Sequence, residues 1–448
     1  MLKKGILLVL IIFGYNLYAQ EGNQSMKFSL QEAVDYAIEH NQNILNAAYD
    51  KEIAETQVGE TISRGLPQVN IQSGLNYNYE VQKSLLPASI FDPNAAEGEE
   101  IKFSIGQPYD GNIVLSARQL LFDGSFFVGL QAAKTYKELS TKDHIKTKID
   151  VVEAVSKAYY NVLVNQERFQ LLEVNLTRLD TLLNETKAMY NNGFAEKIDI
   201  NRIQVQYNNL KVQNDKTKQL LELGVDLLKF QMGVKISDEL ILTDKLEEVQ
   251  FNDIDEANFD YSERIEYSQL QTNRALAYLD MKNNRVQYLP SLYANFNYGY
   301  NTQTGSTSNY FDGNRWLNYG AVGVTLSMPI FDGFLKSNKI QKNKLQLKQI
   351  EQSFELLENS IDLEIKQAKV NLNSAIDNMM AQRENMALAE EIYNVTKIKY
   401  QEGVGSNLEV TTADADYKEA QTNYYDALYS ALVAKVELEK AYGKLLDN

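Results

Sequence analysis

Leu120–Leu121–Phe122–Asp123–Gly124 returns 209 residues later as Pro329–Ile330–Phe331–Asp332–Gly333. Both stretches stand where one periodicity ends and another begins. Upstream of the first, Val69, Ile71, Leu75, Tyr77, Tyr79 and Val81 hold odd positions, and Gln68, Asn70, Gln72, Asn76, Asn78 and Glu80 hold even ones. Upstream of the second, Leu292, Ala294, Phe296, Tyr298 and Tyr300 alternate with Ser291, Asn295, Asn297 and Gly299, with Tyr293 as the exception. A return strand follows in each copy, through Ile113, Leu115 and Ala117 in one and Val322, Val324, Leu326 and Met328 in the other. A period of two gives each strand one apolar and one polar face. The pattern predicts strands over about 66–82, 111–122, 289–301 and 316–330, with turn-rich loops at 83–110 and 302–315.

Downstream of each stretch the chain turns helical. Asp123 and Asp332 are residues of the N-cap type. Ser125 to Asn192 contains Gly129 as its one glycine and no proline, and Phe334 to Glu402 contains neither. Phe169, Leu172, Leu176, Leu179 and Leu183 step by three and four, a coiled-coil seam. Tyr190–Asn191–Asn192–Gly193 recurs as Tyr400–Gln401–Glu402–Gly403, and after each glycine a second helix runs back to Gly233 or Gly443. Shorter helices are expected over 29–64 and 262–287. Leu66–Pro67 and Leu289–Pro290 open the strand regions at an offset of 223, so the first copy carries 14 more residues within 68–119. The organisation read from this is a first repeat over 20–233 with a helical hairpin at 125–233, an acidic connector over 234–263, and a second repeat over 264–448 with a hairpin at 334–443.

Composition agrees with helices of unusual length. All 6 prolines lie at 67, 87, 93, 108, 290 and 329, leaving 109–289 and 330–448 free of them. Cysteine is absent and histidine numbers 2, which removes disulfides, thiol nucleophiles and most metal constellations. No GxSxG, GxxxxGK[ST], HExxH or GxGxxG occurs, so no catalytic residue, metal or cofactor is expected. A net charge of −16 repels phosphate backbones and argues against nucleic acid as a partner. Lys3 and Lys4, the apolar run from Ile6 to Phe13, and Leu17–Tyr18–Ala19 have the layout of a secretory signal peptide over 1–19.

Nothing in the chain offers to cover the apolar faces of the strands. In a bilayer lipid covers them, the polar faces line a wet lumen, and no edge is left unpaired. Trp316, Tyr319, Tyr77 and Tyr79 at strand ends suit interfacial belts, and suit β-structure by propensity alone. A barrel takes at least eight strands, so four per chain must be shared among subunits. A soluble periplasmic coiled-coil scaffold or adaptor is the competing reading.

The doubled order of helix, strand, strand, long helix, glycine break and return helix, with the Leu–Pro openings and Phe–Asp–Gly exits, resembles the TolC-like outer membrane efflux proteins over essentially the whole mature chain. The resemblance implies a mostly α fold with membrane β. Four strands from each chain of a homotrimer would build one 12-stranded barrel above a hollow periplasmic cylinder of helical hairpins. It also implies an outer-membrane exit duct for efflux or type I secretion, coupled through a periplasmic adaptor (membrane fusion protein) to an inner-membrane pump. Asp199 and Glu409 match the acidic positions at the narrow periplasmic mouth, although a carboxylate in a helix's first turn is also favoured by the dipole. Thr412 stands where the family has a further acid. Tyr400 and Asp199 match a hydrogen-bonded link of the closed mouth, and Gly405 replaces an arginine of a second link. Gly193–Phe194 and Gly403–Val404 match the tips where the adaptor docks; a glycine there also serves simply as a helix C-terminal residue.

Overall fold

A computed structural model describes residues 26–246 and 259–446. The signal peptide and the middle of the acidic connector lie outside the described residues. The chain divides into two compact units, and each draws on both repeats. One takes 46–147 and 259–364, the other 26–45, 148–246 and 365–446.

The first unit is organised by a four-stranded antiparallel sheet. Its strands are β2 (Gln68–Tyr77), β5 (Tyr109–Phe122), β7 (Ser291–Thr304) and β8 (Leu317–Ser327), in the order β2-β5-β7-β8. Register aligns the repeats face to face. Val69, Ala117, Phe296 and Val322 form one row, and Ile71, Leu115, Tyr298 and Gly320 the next row on that face. The other face carries Asn70, Ser116 and Asn297 in a row with Ala321. An irregularity between Leu120 and Phe122 adds one residue to β5. It brings Phe122 opposite Leu292, on the apolar side, as a bulge does when it reverses the alternation.

Residues 83–110 are more ordered than a loop. β3 (Lys83–Pro87) and β4 (Glu100–Ser104) pair there as an antiparallel hairpin, stiffened by the stacked rings of Phe91 and Phe103 at 5.5 Å. The longer loop of the first repeat thus holds a small sheet, whereas in the second β7 runs on to Thr304 and 305–316 contains only short 3₁₀ turns. Four helices contribute to this unit: most of α2 (Gln42–Ser63), all of α5 (Ile265–Val286), and the first parts of α3 (Gly124–Asn191) and α6 (Leu335–Gln401). α3 has 68 residues and α6 has 67. At 1.5 Å per residue each is about 100 Å long.

The second unit contains α1 (Leu30–His40), α4 (Lys197–Met232), α7 (Asn407–Ala441) and the distal parts of α3 and α6. A three-residue parallel ladder joins β1 (Met26–Phe28) to β6 (Leu240–Leu242). The helix expected over 29–64 is broken at Asn41. Its side chain accepts from the Asn43 amide at 2.8 Å and donates to the Gln231 carbonyl at 2.7 Å, ending α1, starting α2 and tying both to the end of α4. Gly233 closes this corner with φ 80°, and a Cβ there would stand 2.5 Å from the His40 carbonyl oxygen. Val155, Tyr159, Leu228, Met232 and Leu432 form the centre of the core beside it.

Candidate functional site

Both hairpins turn on the same device. Gly193 and Gly403 have φ of 80° and 77°. In each turn the residue after the glycine donates back to a carbonyl five residues earlier, Phe194 to Met189 and Val404 to Lys399, at 2.9 Å in both. That is the Schellman pattern, and it satisfies helix-end carbonyls that would otherwise be orphaned. The tips themselves bury little: Phe194 is 82% and Val404 78% exposed.

Asp199 and Glu409 lie in the first turns of α4 and α7. Each carboxylate folds back on its own N-cap. The Glu196 amide donates to Asp199 Oδ2 at 3.1 Å, and the Ser406 amide to Glu409 Oε2 at 3.4 Å. Both are capping boxes, with Ser406 Oγ accepting from the Glu409 amide at 3.2 Å in the second. The two helix starts are packed together, Gln206 donating to the Thr411 carbonyl at 3.0 Å. Ile198, Val205 and Leu408 line a groove of about 590 Å³ between them, with Thr412 on its wall. Asp199 also lies 3.5 Å from Arg202.

Tyr400 and Asp199 are not linked within the chain. The Tyr400 hydroxyl is buried with no hydrogen-bond partner, and the Asp199 carboxylate is engaged by its cap and Arg202. Gly405 donates its amide to the Lys399 carbonyl at 3.0 Å, as part of the turn.

The strongest polar feature near the tips is one that sequence reasoning missed. Arg178 donates to Asp414 Oδ1 at 2.8 Å, and Lys418 sits against the other carboxylate oxygen. The Asp414 side chain is 1% exposed. Tyr393 and Tyr417 place their rings 4.3 and 5.2 Å from the guanidinium carbon. Burial pushes the Lys418 ammonium below the usual lysine range, against the pull of Asp414, and pushes both tyrosines up. Arg178 flanks the leucine seam of α3 beside Leu179, and Asp414, Tyr417 and Lys418 recur at helical spacing on α7. Those were the available signals, but nothing in the sequence pairs residues 236 positions apart.

The sheet completes the picture. Val69, Ile71, Leu75, Val322, Val324 and Leu326 are all exposed, up to 81% at Val322. Tyr77 and Tyr109 pack with their rings tilted by 31° and 4.9 Å apart at one end of this apolar face, and Tyr310 meets Tyr109 edge-on at 5.7 Å. Trp316 Nε1 donates to the Tyr310 carbonyl at 2.8 Å. Tyr319 lies on the opposite face, in the row of Gln72, Val114 and Gly299. Among the described residues no helix is long and apolar enough to cross a membrane, and no group of side chains could hold a metal.

A sheet apolar on one exposed face and polar on the other, fed by duplicated long helical hairpins, defines a channel protein of the outer membrane. A family model described as outer membrane efflux protein matches residues 33–221 and 263–444, and the chain belongs to that family. The outer membrane protein TolC of Vibrio cholerae is 20% identical over 425 residues, 94% of this chain and 92% of its own. TolC of Escherichia coli is 20% identical over 99% of this chain and 86% of its own. Among solved structures, CusC superposes with a TM-score of 0.73 at 15% identity, covering 95% of each chain.

Proposed function

We propose that three copies of this chain form a passive outer-membrane exit duct. It would carry substrates of an inner-membrane pump, delivered through a periplasmic adaptor at the hairpin tips, to the exterior in efflux or type I secretion. The observation that carries this reading is the sheet. Among the described residues β2 and β8 pair on one side only, and the apolar face is bare. An uncovered apolar face is costly in water and an open sheet edge is not tolerated in lipid, and lateral pairing into a lipid-covered barrel removes both. Helix surfaces agree: Val205, Val212, Leu223 and Phe230 on α4, and Val370, Met380, Ile392 and Ile398 on α6, are exposed apolar residues that neighbouring copies would cover. Asp199 and Glu409 from three chains would gather six carboxylates at the periplasmic aperture, where they attract cations. Closing that mouth through Tyr400 and Asp199 would use acceptor capacity that the Asp199 carboxylate keeps beside its capping bond at Oδ2.

The test is single-channel conductance of the purified protein in planar bilayers, with the particle mass measured in parallel. The expected result is a trimer with a small, cation-selective conductance that rises or loses selectivity in Asp199→Ala/Glu409→Ala. Tyr400→Phe raises the conductance if the link closes the mouth, and leaves it unchanged if it does not. Unchanged selectivity in the double variant removes the aperture assignment; a dimer removes the 12-stranded barrel; folded protein that never inserts removes the duct.

A further inference from the structure

Within the four sheet strands only two residues are charged, Asp110 and Arg118, both on the polar face of β5. They stand eight residues apart, about 27 Å along the strand. Asp110 is occupied: Asn76 and Asn78 donate to its two oxygens at 2.8 and 2.7 Å. Arg118 is not. Its guanidinium carbon lies 3.9 Å from the centroid of the Tyr293 ring, and among the described residues it forms no ion pair. The brace beneath it is built in. Tyr293 hydroxyl points to Asp123 Oδ2 at 3.5 Å, and Asp123 accepts from the Ser125 amide at 2.7 Å at the start of α3. Stacking engages the face of a guanidinium and leaves its in-plane N–H donors open, the geometry that takes a carboxylate or phosphate side-on.

Row neighbours of Arg118 within the sheet are Gln68, Asn295 and Gly323, all uncharged. The repeat counterpart is Ser327, giving one such cation per chain. Arg118 is thus the one cation on the polar face of this sheet, and the one acid there, Asp110, stands about 27 Å away and is occupied by Asn76 and Asn78. We infer that Arg118 is an anion-binding residue, and that three copies form a ring of guanidiniums at the helix-side end of the barrel lumen. The ring would hold the carboxylate or phosphate groups of solutes in transit. This rests on the duct reading above.

The test uses the reconstituted full-length protein, with citrate or tripolyphosphate added on the side to which the barrel opens. Both anions are expected to block the wild-type conductance. In Arg118→Gln the half-blocking concentration rises by about tenfold, equivalent to about 1.4 kcal/mol. Arg118→Lys, which keeps the charge but not the planar fork, falls between, and Asp110→Asn is unchanged. Block by one anion class alone assigns the ring to carboxylates or to phosphates. Equal block of wild type and Arg118→Gln, or no block of wild type, overturns the inference while leaving the duct intact. Absence of any conductance from folded protein overturns the duct reading and this inference with it.

Discussion

At position 229 the first repeat brings a lysine into the last turn of its hairpin; at the equivalent position 439 the second brings a glutamate. Lys229 is 8% exposed, and its ammonium donates to Asp226 at 3.1 Å and to the Ile236 carbonyl at 3.0 Å. A cation there also faces the partial negative charge of the helix C-terminus. Glu439 has the wrong sign for that end, and burial pushes its carboxyl above the usual range despite Lys435. The lesson is general to the two halves. Duplication preserved the backbone devices, because they depend on local geometry alone, and let the charged contacts diverge, because those depend on a partner that is far away in sequence. Gly193 and Gly403 turn alike, and so do Gly233 and Gly443. Arg178 and Asp414 have Leu388 and Gln204 as counterparts, so their buried pair exists once.

The largest effect expected from erasing that asymmetry is at Asp414. Asp414→Gln, the residue its counterpart carries, leaves Arg178 and Lys418 partly buried without their shared anion. Removing one member of a buried ion pair costs about 3 kcal/mol or more. Arg178→Leu/Asp414→Gln removes one buried cation along with the anion, and is expected to recover part of the loss. Denaturant unfolding of the detergent-solubilised protein checks both. A single variant as stable as wild type would mean that the pair adds nothing net, and a double variant no better than the single would mean that packing rather than charge dominates.

Next come the glycines, where the repeats can be compared turn by turn. Alanine at Gly193 meets nothing within 4 Å, so only the left-handed backbone is charged against it, about 1–2 kcal/mol. Alanine at Gly233 meets the same backbone cost and the His40 carbonyl at 2.5 Å, which must move. Gly233→Ala is therefore expected to lower the unfolding midpoint clearly more than Gly193→Ala. Equal losses would show that the corner at Asn41 relaxes freely.

How far the sequence could be read follows the same division between local and distant. The four sheet strands were legible because alternation in Val69–Tyr77 or Val322–Leu326 is written residue by residue. The long helices were legible because Ser125 to Asn192 holds a single glycine, Gly129, and no proline, and Phe334 to Glu402 holds neither. The ladder of Met26–Phe28 with Leu240–Leu242 was not, since three residues carry no period. Nor was the hairpin of Lys83–Pro87 with Glu100–Ser104, whose flanking prolines and acids read as loop. Tyr319 was placed by its aromatic character, whereas register sets it on the polar face. At the tips, position and turn chemistry were legible for Asp199, Glu409 and the glycines. The cluster of Arg178, Asp414 and Lys418 was not, because it is assembled from two helices more than 230 residues apart.

The smallest effect returns to position 439 and gives the comparison a sign in pH. Glu439 has a folded-state pKa raised by burial, so its ionisation opposes folding at neutral pH, and stability is gained as pH falls towards that raised value. Glu153 on α3 has the reverse sign. Burial alone would raise it, but hydrogen bonds from Lys157 and Lys440, the latter at 2.6 Å, outweigh that and hold it below the usual glutamate range. Its contribution is present above the ordinary glutamate value and is lost as pH falls through the lower folded value. Acidification from neutrality should therefore first raise stability slightly and then lower it once the pH passes below the ordinary glutamate value. Glu439→Gln should remove the rise, gaining up to about 1 kcal/mol at pH 7 by ending the clash with the helix terminus. Glu153→Gln should weaken the acid limb instead, because a neutral amide cannot hold two ammonium groups as a carboxylate does. Unfolding midpoints of the three proteins between pH 4 and pH 8 separate the two. If Glu439→Gln is less stable than wild type at pH 7, the second repeat has found a use for its misplaced acid, and the two hairpin ends are not equivalent in the way their glycines suggest.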